Sequence, residues 1–317
     1  MVRRSSLRST IIAIVGPNAT GKSDLGIYLA REFQGEIVSA DARQVFRKLD
    51  IGTGKVSKEQ QRIVPHHLLD VIDVGEPFSV AAYQTLAYKA INSILKRGHL
   101  PFLVGGTGLY LEAVIDGYEF VAVPPSPELR QQMESRAEDD LINELWRLDP
   151  IAAANIQVRN KRRIIRAIEI ATSGYKYEDS RRTQRRYSTL QLGVSWPRQQ
   201  LYERIDERLD RRLKNGMVEE VRDLLRQGVS EQLLHDLGLE YRHVLMFIKG
   251  EYSTMDALYD GLRHAIHSFA RRQLTWFNQD KRIHWLDTSS QYYEEAVFKI
   301  ENYLQFQDIV DYLAKCG

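Results

Sequence analysis

Apolar positions along the chain follow two different periods. Thr10–Val15 is an almost unbroken apolar run ending in Gly16, which reads as a buried parallel strand entering a glycine turn. Residues 24–33 have helical spacing, Gly35 breaks it, and residues 36–39 make a second short strand ending near Asp41. Residues 42–75 show little periodicity and contain Gly52, Gly54, Pro65 and Gly75, so long functional loops are expected there. Ser79 caps a helix that runs to about Arg97, and residues 101–104 form a third apolar strand. That strand ends in Gly105-Gly106-Thr107-Gly108 before another helix. The alternation predicts an α/β fold built on a doubly wound parallel sheet.

After Gly117 the pattern changes. Pro124, Pro125 and Pro127 stiffen a connection, residues 128–187 read as helices, and residues 190–196 read as a strand returning to the sheet. Residues 117–190 are therefore expected to be a helical insertion, flanked by core segments 1–116 and 191–317. A charged helix over 198–215, further helices to Asn278, a last strand at 282–286 and C-terminal helices complete the expectation. There is no internal repeat.

Composition sharpens this only locally. With 43% hydrophobic residues, a sizeable core is available. The net charge is +2, yet residues 159–186 carry ten Lys or Arg against Glu169, Glu178 and Asp179. Such a stretch suits a polyanionic partner or a solvated helix face. The single cysteine, Cys316, allows neither an intrachain disulfide nor a thiolate zinc cluster, which fits a reducing cytoplasm. The apolar run at 11–15 is too short for a leader or a membrane span.

Candidate chemistry starts at Gly16, Pro17, Asn18, Ala19, Thr20, Gly21, Lys22 and Ser23, which match the phosphate-binding P-loop pattern G-x-x-x-x-G-K-[ST] between a strand and a helix. Backbone amides and the helix N-terminus can surround phosphate oxygens, Lys22 adds positive charge, and Ser23 is the candidate Mg²⁺ ligand. ATP is the default nucleotide for such a loop. However, the strand at 101–104 ends in glycines, where a nucleotide hydrolase would carry an acidic residue for Mg²⁺. Thr107 could approach the same ligand, or its loop could serve close packing alone. Asp41 suits a general base at the carboxyl edge of the sheet, or a helix cap, or an outer Mg²⁺ contact. Arg204 and Arg208 share a helix face and suit a phosphate or an ion-paired helix. Trp276 and Phe277 suit base stacking or core packing, the latter more readily. His66 and His67 lack companions at zinc spacing and read as hydrogen-bonded loop histidines.

These motifs stand in a recognisable order. Asp41-Ala42-Arg43-Gln44-Val45-Phe46 follows the P-loop, and Asp50-Ile51-Gly52-Thr53, Pro65-His66-His67-Leu68-Leu69-Asp70 and Gly105-Gly106-Thr107-Gly108-Leu109-Tyr110 come next. Further on come Arg163-Ile164-Ile165-Arg166-Ala167-Ile168-Glu169, Arg204-Ile205-Asp206-Glu207-Arg208, Gly238-Leu239-Glu240-Tyr241 and Ala270-Arg271-Arg272-Gln273-Leu274-Thr275-Trp276-Phe277. From residue 11 to 287 the chain resembles the tRNA dimethylallyltransferases of bacterial type. The resemblance implies transfer of a dimethylallyl group from its diphosphate to the exocyclic amine of the adenine beside the anticodon. It implies Asp41 and Thr107 in catalysis, and the P-loop with Arg204, Arg208 and Mg²⁺ at the diphosphate. It also implies Asp41, Ala42, Arg43, Gln44, Thr107, Arg130, Arg162, Arg163, Ile164, Ile165, Arg166, Arg271, Arg272 and Gln273 at the tRNA anticodon stem-loop. A cytoplasmic monomer is expected. Ala42 and Phe46 replace a usual Ser and Tyr, and Gln157-Val158-Arg159-Asn160 replaces a usual His-Pro-Asn-Asp. The zinc finger of eukaryotic relatives has no counterpart in the sequence. Competing readings are a small-molecule phosphotransferase, an isopentenyltransferase acting on free AMP or ADP, and a non-catalytic RNA-binding protein.

Overall fold

The computed structural model describes residues 9–156 and 160–316. Strands β1 (Thr10–Val15), β2 (Gly35–Ala40), β3 (His66–His67), β4 (Leu100–Gly105), β5 (Ser188–Val194) and β6 (Ile283–Leu286) form one all-parallel sheet in the order β3-β2-β4-β1-β5-β6. The order reverses at β1, which lies between β4 and β5. That reversal opens a crevice beyond the strands' carboxyl ends, where the glycine loops emerge.

Alternation along β1 explains why both faces are covered. Ile11, Ala13 and Val15 enter one apolar core with Tyr83, Ile91 and Leu103, while Ile12 and Ile14 enter another with Leu25, Leu29 and Phe102. Helices α1 (Lys22–Glu32), α2 (Lys58–Ile63), α3 (Val80–Lys96) and α4 (Gly108–Glu112) accompany the first four strands. After β5 come α9 (Arg198–Lys214), α10 (Met217–Arg226), α11 (Glu231–Asp236), α12 (Leu239–Ile248) and α13 (Met255–Phe277), then β6 and α14 (Tyr292–Cys316). Leu201, Ile205, Val221, Tyr241 and Leu262 from these helices make a third core with Leu49.

Residues 116–186 form a separate compact unit. It contains α5 (Pro127–Glu134), α6 (Glu138–Leu148), α7 (Pro150–Asn155) and α8 (Lys161–Thr172) around Met133, Leu141, Leu145, Ile164 and Ile168. Among the described residues, no helix is long and apolar enough to cross a membrane.

Three expectations change. The loop expected over 42–75 contains α2 and the edge strand β3; Ser57 and Gln60 make a reciprocal capping box that the sequence already carried. β5 lies two residues earlier than expected, because Trp196 has left the sheet and donates its indole N–H to the Thr20 carbonyl at 2.9 Å. The C-terminal region is one helix rather than several.

His66 and His67 belong to the sheet. His66 Nδ1 lies 2.9 Å from the Val64 carbonyl, and His67 Nε2 lies 2.7 Å from Glu36. Glu36, near the amino end of β2, also meets Arg97 at 2.7 Å and His99 at 2.7 Å. Burial pushes its carboxyl up, but hydrogen bonds from Arg97, His67 and His99 outweigh this and hold it at about 2, against an ordinary 4.5. This lowered value stabilises the fold fully above pH 4.5, and the benefit is lost as pH falls toward 2. With Arg97 and His99 half-exposed, Glu36→Gln is expected to cost about 2 kcal/mol at neutral pH. It should also flatten the acid limb of a urea-denaturation series between pH 4.5 and 2.

Candidate active site

The P-loop is shaped by its own backbone. A Cβ on Gly16 would lie 2.2 Å from the Val194 carbonyl oxygen, so only glycine lets β1 turn beside β5. Pro17 turns its carbonyl inward, where it accepts from Thr20 Oγ1 at 3.0 Å and Lys22 Nζ at 2.5 Å. Gly21, at φ 93°, starts α1, and Lys22 and Ser23 fall in its first turn. Ala19, Thr20, Gly21, Lys22 and Ser23 line a cleft of about 430 Å³, whereas Gly16, Pro17 and Asn18 do not reach its lining.

The opposite wall is α9. Arg204, Arg208 and Arg212 recur every fourth residue, so they share a face, and Arg211 joins them at the cleft. Arg204 donates to the Ala19 carbonyl at 3.0 Å and stacks over Trp196 at 4.5 Å. Arg208 donates to the Gly54 carbonyl at 3.3 Å. A Cβ on Gly54 would lie 2.2 Å from Arg208 and 2.0 Å from Arg212, so this glycine admits both guanidinium groups. The loop presenting Gly54 is fixed by Glu220, whose carboxylate accepts from the amides of Asp50, Ile51 and Gly52 at 2.6–3.0 Å and from Tyr241 at 2.9 Å.

The cations strain one another. Burial lowers Lys22 to about 7, with Arg208 adding to the effect and Asp41 opposing it. Burial likewise lowers Arg208 to about 9, aided by Arg212 and opposed by Glu240 and Asp41. An anion in the cleft would relieve both.

Asp41 and Thr107 meet at the neighbouring strand ends. A Cβ on Gly105 would lie 2.1 Å from the Ala40 carbonyl oxygen, so glycine lets β2 and β4 close here. Thr107 N–H donates to Ala40 at 3.2 Å, and Thr107 Oγ1 accepts from the Ala42 amide at 3.0 Å. Asp41 Oδ1 accepts from the Arg43 and Gln44 amides at 2.8 and 3.3 Å. One carboxylate oxygen thus holds a turn, where the sequence reading offered a helix cap: residues 42–45 form no helix. Gln44 faces the Ser39 hydroxyl at 3.5 Å, and Arg43 reaches the Asp236 carbonyl at 3.2 Å. Beneath them Tyr83 and Tyr110 stack at 4.1 Å, with burial pushing Tyr110 up to about 12.

A family model described as IPP transferase matches residues 44–280, and one described as isopentenyl transferase matches residues 9–71. The chain belongs to the IPP transferase family. A tRNA dimethylallyltransferase from Thermomicrobium roseum is 42% identical over 305 residues, covering 94% of this chain and 92% of that protein. One from Heliobacterium modesticaldum is 43% identical over 282 residues, covering 86% and 88%. The crystal structure of a full-length tRNA isopentenylpyrophosphate transferase from Bacillus halodurans is similar at TM-score 0.72 and 34% identity, covering 96% of this chain and 99% of that one. A eukaryotic dimethylallyltransferase acting on tRNA is similar at TM-score 0.76 and 25% identity, covering 90% and 75%.

Several residues expected at a tRNA surface of this IPP transferase lie elsewhere. Ile164 and Ile165 are buried in the helical unit's core, because the helix face carrying them is the apolar one. Arg166 clasps the buried Glu169 at 3.0 Å and donates to the Val123 carbonyl, whereas Arg130 meets the same carboxylate at 2.7 Å with its side chain still 45% exposed. Gln273 is buried between the two glycine loops. Phe277 and Trp276 join the core behind α4. Arg162, Arg163, Arg271 and Arg272 are exposed. Gln157, Val158 and Arg159 lie outside the described residues. The sequence reading missed Gly54, Arg211, Arg212 and Glu220. The spacing of Arg204, Arg208 and Arg212 was the available signal for Arg212, whereas Glu220 had none.

Because Lys22 sits near 7 and a bound anion raises it, inorganic diphosphate should bind with proton uptake above pH 7. Its affinity is expected to fall by up to about tenfold per pH unit from there. Titration calorimetry in buffers of different ionisation enthalpy measures this, and Lys22→Met should remove the uptake.

Proposed function

We propose that this IPP transferase moves a dimethylallyl group from dimethylallyl diphosphate to the exocyclic amine of the adenine beside the anticodon of tRNA. The observation that carries the reading is the adjacency of two differently built ends of one sheet. A cationic P-loop cleft stands beside an Asp41–Thr107 acceptor loop, and β4 carries glycine where a nucleotide hydrolase would carry its acidic strand end.

Lys22, Arg204 and Arg208 stabilise the charge that grows on the diphosphate as the allylic C–O bond breaks. The adenine amine is a weak nucleophile, since its lone pair is delocalised into the ring. As the new C–N bond forms, Asp41 takes the amine proton, and Thr107 orients the acceptor beside it. The donor set fits Mg²⁺, which takes few protein ligands and completes its shell with phosphate oxygens and water; Ser23 at the head of α1 would hold it. When bound, the ion supplies further charge neutralisation at the diphosphate.

The acceptor base has to leave its stack to enter such a loop. Exposed Arg162, Arg163, Arg271 and Arg272 suit contact with the tRNA backbone. The protein is taken to act as a monomer in the cytoplasm.

Incubation with dimethylallyl diphosphate, Mg²⁺ and either tRNA or AMP, followed by mass spectrometry of the adenine, tests the reading. Prenylated tRNA is expected; ATP turnover without prenylation would overturn it, and prenylated AMP alone would move the acceptor to a free nucleotide. Asp41→Ala should abolish transfer while diphosphate affinity stays within about threefold.

A further inference from the structure

The buried amide of Gln273 joins the two halves of the site. Its Oε1 accepts from the Asn18 backbone N–H at 3.0 Å, on the donor side. Its Nε2 donates to the Gly106 carbonyl at 2.9 Å and lies 3.4 Å from Asn18 Oδ1. Both amide protons thus face oxygens while the amide oxygen faces a proton, which fixes one orientation and one chemistry. A carboxylate there would set oxygen against the Gly106 carbonyl. A Cβ on Gly106 would lie 2.8 Å from Nε2, so the absence of a side chain at 106 is what lets the amide reach both loops. Gln273 is only 8% exposed, at a position where α13 passes behind both glycine turns.

From Gly106 the contacts continue toward the acceptor. Thr107 follows directly, its hydroxyl accepts from Ala42, and Ala42 adjoins Asp41. We infer that Gln273 is a positioning residue that couples the diphosphate loop to the acceptor loop. Occupation of residues 16–23 by diphosphate then orders residues 105–108 and, through Thr107, the Asp41 turn. The inference deepens the transfer reaction proposed above and rests on it for its kinetic consequence, though the coupling itself can be measured without turnover. The coupling sets the geometry of the acceptor loop rather than the affinity for either substrate, so its loss is read in kcat.

The first test is hydrogen exchange on wild-type protein with and without inorganic diphosphate. Protection is expected in residues 16–23 and also in 105–108. In Gln273→Met, which keeps length and loses every hydrogen bond, protection should stay confined to 16–23. Protection confined there in the wild type, or undiminished spread in the variant, would overturn the inference.

The second test is kinetic. Gln273→Glu and Gly106→Ala should lower kcat by about ten- to a hundredfold, with KM for dimethylallyl diphosphate and for tRNA within about threefold. A raised KM for tRNA at unchanged kcat would make Gln273 an RNA contact instead. An unchanged kcat at unchanged KM would remove its role altogether. Spread of protection in a wild-type protein that fails to prenylate would leave the coupling standing and overturn the proposed reaction alone.

Discussion

Concentrated positive charge at the carboxyl edge of the sheet is the constraint on which the rest of this structure depends. Lys22, Arg204, Arg208, Arg211 and Arg212 line one cleft, and like charges at such range oppose folding unless something holds them. Most of their neighbourhood can be read as the answer. Carbonyls of Pro17, Ala19 and Gly54 accept from Lys22, Arg204 and Arg208, Glu240 pairs with Arg212 at 3.3 Å, and the Asp41 carboxylate adds its field. Glu220 reaches no cation of the cleft, yet it fixes the turn whose carbonyl faces Arg208. The residual strain in Lys22 and Arg208 is what an anion in this cleft would relieve.

The same economy shapes the acceptor side. The glycines at 105, 106 and 108 leave room for the Ala40 backbone, the Gln273 amide and the Trp276 indole in turn. The packing reading of this loop is seen directly, and the same packing brings the hydroxyl of Thr107 to the Asp41 turn. The helical unit handles charge differently. There Glu169 gathers Arg130, Arg166 and the Ser126 amide around one buried carboxylate.

The parallel sheet, the P-loop and the helical insert were legible because each leaves a local trace: an apolar run, a glycine spacing, a change of period. Asp41 and Thr107 were legible as the residues following strand ends. The edge strand at His66–His67 was not, since two residues carry no period, and its position depends on pairing with Ile37 and Val38. Gln273 and Ile164 were misjudged for a related reason. A motif tells which residues matter together, but whether one faces solvent or core depends on the helix face that tertiary packing selects. Arg130 shows a different limit: it stays exposed, but its partner Glu169 lies 39 positions away, so no local spacing announces the pair.

The position of β1 at the centre of the sheet has a consequence for synthesis on the ribosome. Its neighbours are β4 and β5, and β5 begins only after the 116–186 unit has been made. The turn at Gly16 is seated against Val194, its cationic wall comes from α9, and its brace to the acceptor loop comes from α13. The motif emerging first is thus completed among the last, by contacts of very long sequence separation, which fold slowly. A nascent chain carries the whole phosphate signature long before α9 and α13, which wall and brace it, have been made.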